Sequence, residues 1–137
     1  MPSAGNLVSA TPLRPLFWNA SKPMTFTNPT PDPSPDTLPF WHAANAGEFL
    51  VKHCEKCDRA HWYPRPCCPF CAGTNTRWRK ASGRGRIYSY SYLRRMAEPY
   101  VIAYVTLEEG PTMMTNIVDC DPENLAIDQP VELVFRP

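Results

Sequence analysis

The chain has 137 residues, 43% of them hydrophobic and 20% charged, with a formal net charge of +1; that is enough for one ordinary domain or two very small ones, without the basic excess of a nucleic-acid-coating protein. No run approaches the ~18 apolar residues of a membrane span, and the opening MPSAGNLVSATPLRPLF lacks the basic start and apolar core of a secretory signal. A cytoplasmic, reducing setting is therefore expected for the cysteines, which points away from disulfides and towards a metal.

Residues 1–35 read as a proline-rich extended arm. Nine of the 17 prolines fall in the first 39 residues, and proline, with a fixed φ and no backbone donor, keeps such a stretch out of sheets and long helices. Within it LRPLFW is unusually apolar, which makes Phe17 and Trp18 candidates for docking on a partner. Residues 36–80 form a second unit that begins with a helix. Asp36 or Thr37 caps it, Pro39 is tolerated in its first turn and Gly47 suits its end. Phe40 and Ala44 make a short apolar stripe. Phe40 and Trp41 are further candidates for a partner interface, beside the plainer reading that they pack the helix on the rest of its own unit. FLVKH predicts a strand running into Cys54.

Next comes CEKCDRAHWYPRPCCPFC, with Cys54 and Cys57 in one C-x-x-C and Cys68 and Cys71 in another. Two such turns brought face to face offer the tetrahedral set of four sulfurs that Zn²⁺ accepts. Iron in a rubredoxin-like site uses the same ligands, and spacing alone does not separate the two. A thioredoxin-type redox pair would need a βαβ pattern, which is missing. Four thiolates leave no open coordination position, so the metal is structural. His53 and His61 lie near enough to be substitute ligands, Cys67 is the spare thiol of the loop, and Cys120 reads as a small half-buried residue. The loop has an energetic reason. A ribbon of about 45 residues buries too little apolar surface to offset its chain entropy, whereas zinc contributes an apparent ~10–16 kcal/mol in small zinc peptides.

Residues 81–137 change texture. RIYSYSYL, YVIAYVTLE, TMMTNIVD and VELVF are β-branched and aromatic runs separated by turn residues. SGRGR marks the bend into the first of them, Glu108-Glu109-Gly110 a hairpin turn, and DPENLAI a single helical turn capped by Asp121. Four or five strands with one helical turn before the last suit a small closed barrel of the OB type.

Charge is segregated. Arg77 to Arg95 holds seven basic residues and no acidic one, whereas Met96 to the end holds eight acidic residues and one basic. Arg77, Arg79, Lys80, Arg84 and Arg86 are therefore a candidate anion-binding patch, with Trp78 as a stacking platform. Strand alternation places Arg77 and Arg79 on one face and Trp78 on the other, which weakens a joint site. No G-x-S-x-G, H-E-x-x-H or Walker-type run is present and His42 reads as an ordinary surface histidine, so no catalytic residue is nominated.

The order PFWHAANAGEF, CEKCDRAHWYPRPCCPFCAGT, SGRGRIYSYS, PYVIAYVTLEEGP, DPENLAIDQPVELVF closely resembles the family first described as domain of unknown function thirty-five, over roughly residues 36–137. The resemblance implies a mainly β fold: a short N-terminal helix, a rubredoxin-like zinc ribbon and a small OB-fold barrel. It also implies Cys54, Cys57, Cys68 and Cys71 as ligands of a structural Zn²⁺. Members have glycine where this chain has Asp58 after the second cysteine and Asp128-Gln129 in a later turn, places that Asp tolerates. The implied role is that of a non-catalytic accessory subunit in acyl-CoA and lipid metabolism. Its partner would be a thiolase-superfamily or lipid-transfer-protein-like enzyme, or a MaoC-like hydratase, whose CoA-thioester site it stabilises or completes. CoA is a polyanion, so the basic stretch is its candidate contact. Two readings compete: a single-stranded nucleic-acid module, suggested by Tyr88, Tyr90 and Tyr92 on one strand face but opposed by the near-zero net charge, and electron transfer by an iron-loaded ribbon.

Overall fold

The structure is a computed structural model that describes residues 5–10 and 32–136, with side chains from residue 32 to 135. In chain order the elements are β1 (Gly5–Ala10), α1 (Leu38–Asn45), β2 (Leu50–Cys54), β3 (Arg59–His61), β4 (Thr76–Lys80), β5 (Arg84–Leu93), β6 (Tyr100–Leu107), β7 (Thr112–Val118) and β8 (Pro130–Arg136), with a 3₁₀ turn at Pro122–Asn124. They form a three-stranded sheet ordered β3-β2-β4 and a closed barrel ordered β1-β7-β6-β5-β8.

The helix lies where the sequence placed it, two turns long from Leu38 to Asn45 with Pro39 in its first turn. Thr37 stands at its cap but makes no capping bond, because its hydroxyl turns back to the Ser34 carbonyl at 3.1 Å. Gly47, at φ +77°, supplies the left-handed residue that ends it. Phe40 and Ala44 face inward, and Phe40 meets Trp41, Phe49, Trp62 and Trp78 with ring centroids 5.0–6.5 Å apart. Phe40 is only 2% exposed; it is a core residue, and its nomination for a partner interface is corrected. Trp41 and Trp78 are partly buried against the same core, and the Trp78 ring also lies under Lys52 Nζ, 4.7 Å from its centroid.

In the barrel, Ile87, Val101, Ala103, Val105, Leu107, Met113, Ile117 and Val131 alternate inward and are buried. The turn at Gly83 (φ +76°) opens β5. Two residues further along, the backbone of β6 crowds Gly85: a Cβ there would meet the Thr106 carbonyl oxygen at 2.6 Å and Val105 Cγ1 at 2.7 Å. Asp121 caps the 3₁₀ turn through the Glu123 amide, 3.1 Å away, as its sequence signature predicts.

The N-terminal arm needs a correction. Gly5–Ala10 lies inside the stretch read as an arm, yet it is a strand that pairs antiparallel with β8 over six positions and parallel with β7 over three. GNLVSA contains no proline, so the proline argument never applied to these six residues. Phe17 and Trp18 lie outside the described residues.

A four-cysteine metal centre and the surfaces around it

Strand β2 delivers Cys54 at its last residue, and the turn into β3 brings Cys57 back beside it. Cys68 and Cys71 sit on a second turn that leads into β4. The four Sγ atoms lie within 4.8 Å of one another. Cys54 faces Cys71 at 3.6 Å and Cys57 faces Cys68 at 3.6 Å, so each close pair takes one sulfur from each turn. A disulfide would hold sulfurs at about 2.05 Å, and all six cysteines are free thiols. Four sulfurs at ~2.3 Å from one tetrahedral ion stand about 3.8 Å apart. The donor set therefore fits structural Zn²⁺.

Both turns rest on the same backbone device. The residue after each second cysteine, Asp58 (φ +53°) and Ala72 (φ +54°), adopts the left-handed conformation and so reverses the chain around the sulfurs. Amides then point inward: the Phe70 N–H donates to Cys68 Sγ at 3.4 Å. Burial alone would raise the Cys68 thiol, but the Phe70 and Cys71 amides and the neighbouring Cys57 and Cys54 thiols favour its anion and bring it to about 7. Cys57 is pushed up to about 12 by burial and by the other three cysteines. Cys68 is thus ionised before Cys57 loses its proton.

The environment of the centre stiffens it. The Arg59 guanidinium lies 3.5 Å over the Phe70 ring, tying β3 to the second turn. His53 Nε2 stands 3.3 Å from an Asp58 carboxylate oxygen. His61 is 1% exposed; its Nδ1 faces the Tyr63 carbonyl at 3.4 Å, and its Nε2 has no hydrogen-bond partner among the described residues. Burial lowers its pKa. Neither histidine joins the cluster of donors, which consists of the four cysteines. Cys67 is exposed and Cys120 half-buried.

The candidate basic residues come from two consecutive strands. Arg77, Arg79 and Lys80 lie on β4 of the ribbon, whereas Arg84 and Arg86 lie on β5 of the barrel. Arg79 pairs with Glu55 at 3.1 Å, Lys80 with Glu48 at 3.0 Å and Arg86 with Asp128 at 3.3 Å. The Arg79 hydrogen bond holds the Glu55 carboxyl below its usual range. Arg84 and Arg86 line an open groove of about 590 Å³, together with Tyr88, Ile127 and the acidic Glu108, Asp128 and Glu132. The groove is mixed in charge.

The three-tyrosine face is also corrected. A register shift between Ile87 and Ser89 breaks the alternation on which it depended. Tyr88 is left pointing outward, 68% exposed. Tyr90 turns its hydroxyl to the Leu125 carbonyl at 2.8 Å, and Tyr92 packs partly on the core. Tyr88 instead shares the outer face of β5, β6 and β7 with Tyr104 and Met114, which are cross-strand partners and are 49% and 56% exposed. Sequence reading did not find this row, because its members come from three strands and each looks like an ordinary strand residue alone.

Two family models match the chain: a ChsH2-type rubredoxin-like zinc ribbon domain over residues 41–77 and a ChsH2-type C-terminal OB-fold domain over residues 78–136. A DUF35 domain-containing scaffold protein of Methanothermobacter thermautotrophicus is 40% identical over 109 residues, which is 74% of this chain and 82% of that protein. The 3-oxo-4,17-pregnadiene-20-carboxyl-CoA hydratase alpha subunit of Mycobacterium tuberculosis is 29% identical over 77% of this chain, but the match spans only 35% of that longer protein. Among solved structures, the Ltp2-ChsH2(DUF35) aldolase superposes with a TM-score of 0.65 at 29% identity, covering 78% of this chain and 98% of that one. The cysteine cluster falls within the ribbon match and strands β5 to β8 within the barrel match, and the chain belongs to the DUF35 family, with the ChsH2-type zinc ribbon followed by the ChsH2-type OB-fold domain.

Proposed function

We propose that this protein is a non-catalytic accessory subunit that assembles with a thiolase-superfamily enzyme acting on acyl-CoA. In this reading Cys54, Cys57, Cys68 and Cys71 hold a structural zinc. The ion supplies rigidity to the ribbon and takes no part in bond making, since four thiolates fill its coordination shell. The protein residues do the rest. The Phe40 cluster joins helix and ribbon, and the barrel presents its outer face to the enzyme. The partner carries the reacting groups.

The observation that carries this reading is the Tyr88–Tyr104–Met114 row, three large apolar side chains on adjacent strands facing solvent. Tyr, Met and Arg are the residues enriched in protein interfaces, and Arg86 borders the row from the preceding outward position of β5. The named scaffold relative, the aldolase complex and the hydratase subunit point the same way. Completion of a CoA site is the finer part of the proposal, with Arg77 and Arg84 as the contacts to CoA phosphates, since Arg79, Lys80 and Arg86 already face carboxylates.

The test is co-expression with a lipid-transfer-protein-like thiolase-fold enzyme from the same genome, followed by affinity capture. Association should be retained by the unaltered chain and fall at least tenfold in Tyr88→Glu/Tyr104→Glu, with zinc content unchanged. Capture unaffected by that double substitution, or no capture at all, would remove the reading. Arg84→Glu should raise the KM for acyl-CoA in the assembled complex without weakening the assembly.

A further inference from the structure

The barrel strands β5, β6, β7 and β8 follow one another through connections of residues 94–99, 108–111 and 119–129. Strand β1 is different. It comes from the other end of the chain, and residues 11–31 separate it from the first described residue of the helix and ribbon unit. That length of chain reaches about 70 Å when extended, so it does not dictate whose barrel the strand enters.

What β1 does for the barrel is specific. Strand β8 pairs with β5 only from Pro130 to Glu132; Val134, Phe135 and Arg136 pair with Leu7, Asn6 and Gly5. On its other side β1 runs parallel to β7, with Leu7, Val8 and Ser9 opposite Asn116, Ile117 and Val118. Lifting β1 out would leave two unpaired strand edges facing each other across a gap one strand wide. Exposed edges of that kind take up extended chain through main-chain hydrogen bonds.

We propose that the gap between β7 and β8 is a strand-acceptor site whose occupant is exchangeable, and that its second occupant is the Gly5–Ala10 segment of another copy of this chain. The ligand chemistry is that of GNLVSA: six extended residues, uncharged, small or aliphatic apart from Asn6, with every backbone donor present because none is proline. Two copies that trade this segment form a closed dimer in which both barrels keep their ladders, since exchange of an identical element needs no new interface. The cis and trans segments are chemically identical, so which of them fills the gap is set by protein concentration. The inference is independent of the enzyme partner.

The test uses the full zinc-loaded chain in two forms, one carrying a C-terminal mass tag. Mixed at ~0.5 mM and analysed by native mass spectrometry, they should give a mixed dimer whose ratio to monomer rises about tenfold for each tenfold rise in monomer. Val8→Pro removes a backbone donor from the middle of β1 and should abolish that dimer. The same variant, with its own strand weakened, should bind a fluorescent peptide of residues 3–11 at least tenfold more tightly than the unaltered chain does. Asn6→Pro, nearer the strand end, serves as a milder second variant. Absence of mixed dimer up to ~1 mM overturns the proposal. So does a dimer that survives both proline variants, or a peptide that binds the unaltered chain as tightly as the variants.

Discussion

Asp58 and Ala72 hold equivalent places in the two halves of the metal centre: each follows the second cysteine of a C-x-x-C, and their φ angles, +53° and +54°, agree within a degree. Neither is glycine, although a left-handed residue with a Cβ costs about 1–2 kcal/mol. Ala72→Gly should therefore raise the stability of the zinc-loaded protein by about 1 kcal/mol. Asp58→Gly should gain less, because Asp58 also faces His53 Nε2 at 3.3 Å. Guanidinium unfolding at fixed free zinc measures both, and a loss of stability in Ala72→Gly would contradict the role given to the backbone.

Zinc binding should steepen with acid in a defined way. Thiols must lose their protons to ligate. Cys68 titrates near 7 and Cys57 near 12, so above pH 7 the metal displaces the Cys57 proton but finds Cys68 already ionised. Below pH 7 the Cys68 proton is displaced as well. The apparent affinity, measured by chelator competition between pH 6 and 8.5, should fall with falling pH throughout and lose about one further decade per pH unit below 7. Cys68→Ser should abolish stoichiometric binding, and chelation should unfold the ribbon.

His61 adds a separate acid sensitivity. Its burial disfavours the imidazolium, so its pKa in the folded chain lies below the ordinary 6.5. The unfolded chain then binds the extra proton first, and stability that is complete above pH 6.5 declines as pH falls through that value. In His61→Gln the loss of stability between pH 8 and pH 6 should be smaller than in the unaltered protein, at saturating zinc. Equal losses would show that His61 does not contribute.

Gly85→Ala tests the barrel. The added Cβ would lie 2.6 Å from the Thr106 carbonyl oxygen, on the neighbouring backbone. Overpacking against main chain cannot be relieved by a rotamer change, and destabilisation of about 2–3 kcal/mol is expected. Gly110→Ala, where a Cβ meets nothing within 4 Å but φ is +104°, should cost through strain alone. Thermal unfolding of the two separates crowding from conformation.

The cysteine spacing, the helix signals and the alternation of YVIAYVTLE and TMMTNIVD were readable because each rests on a local pattern: a ligand set, a cap, a period of two. Gly5–Ala10 was not, since six residues with modest β preference become a strand only through partners more than 100 positions away. The Tyr88–Tyr104–Met114 row was hidden for a similar reason, and the bulge after Ile87 moved Tyr90 and Tyr92 off the face that strict alternation assigns. The basic run was legible as charge but not as a site, because Glu48, Glu55 and Asp128, distant in sequence, reach Lys80, Arg79 and Arg86.

The position of β1 also sets a timetable. The ribosome makes Gly5–Ala10 before any other described strand of the barrel and makes Pro130–Arg136, its antiparallel neighbour, last among them. At 5–20 residues per second the first strand waits roughly ten seconds for its mate. The ribbon, complete by residue 80, has everything it needs to capture zinc during that interval. Synthesis thus supplies all four sulfurs of the metal centre before it supplies the last strand of the barrel.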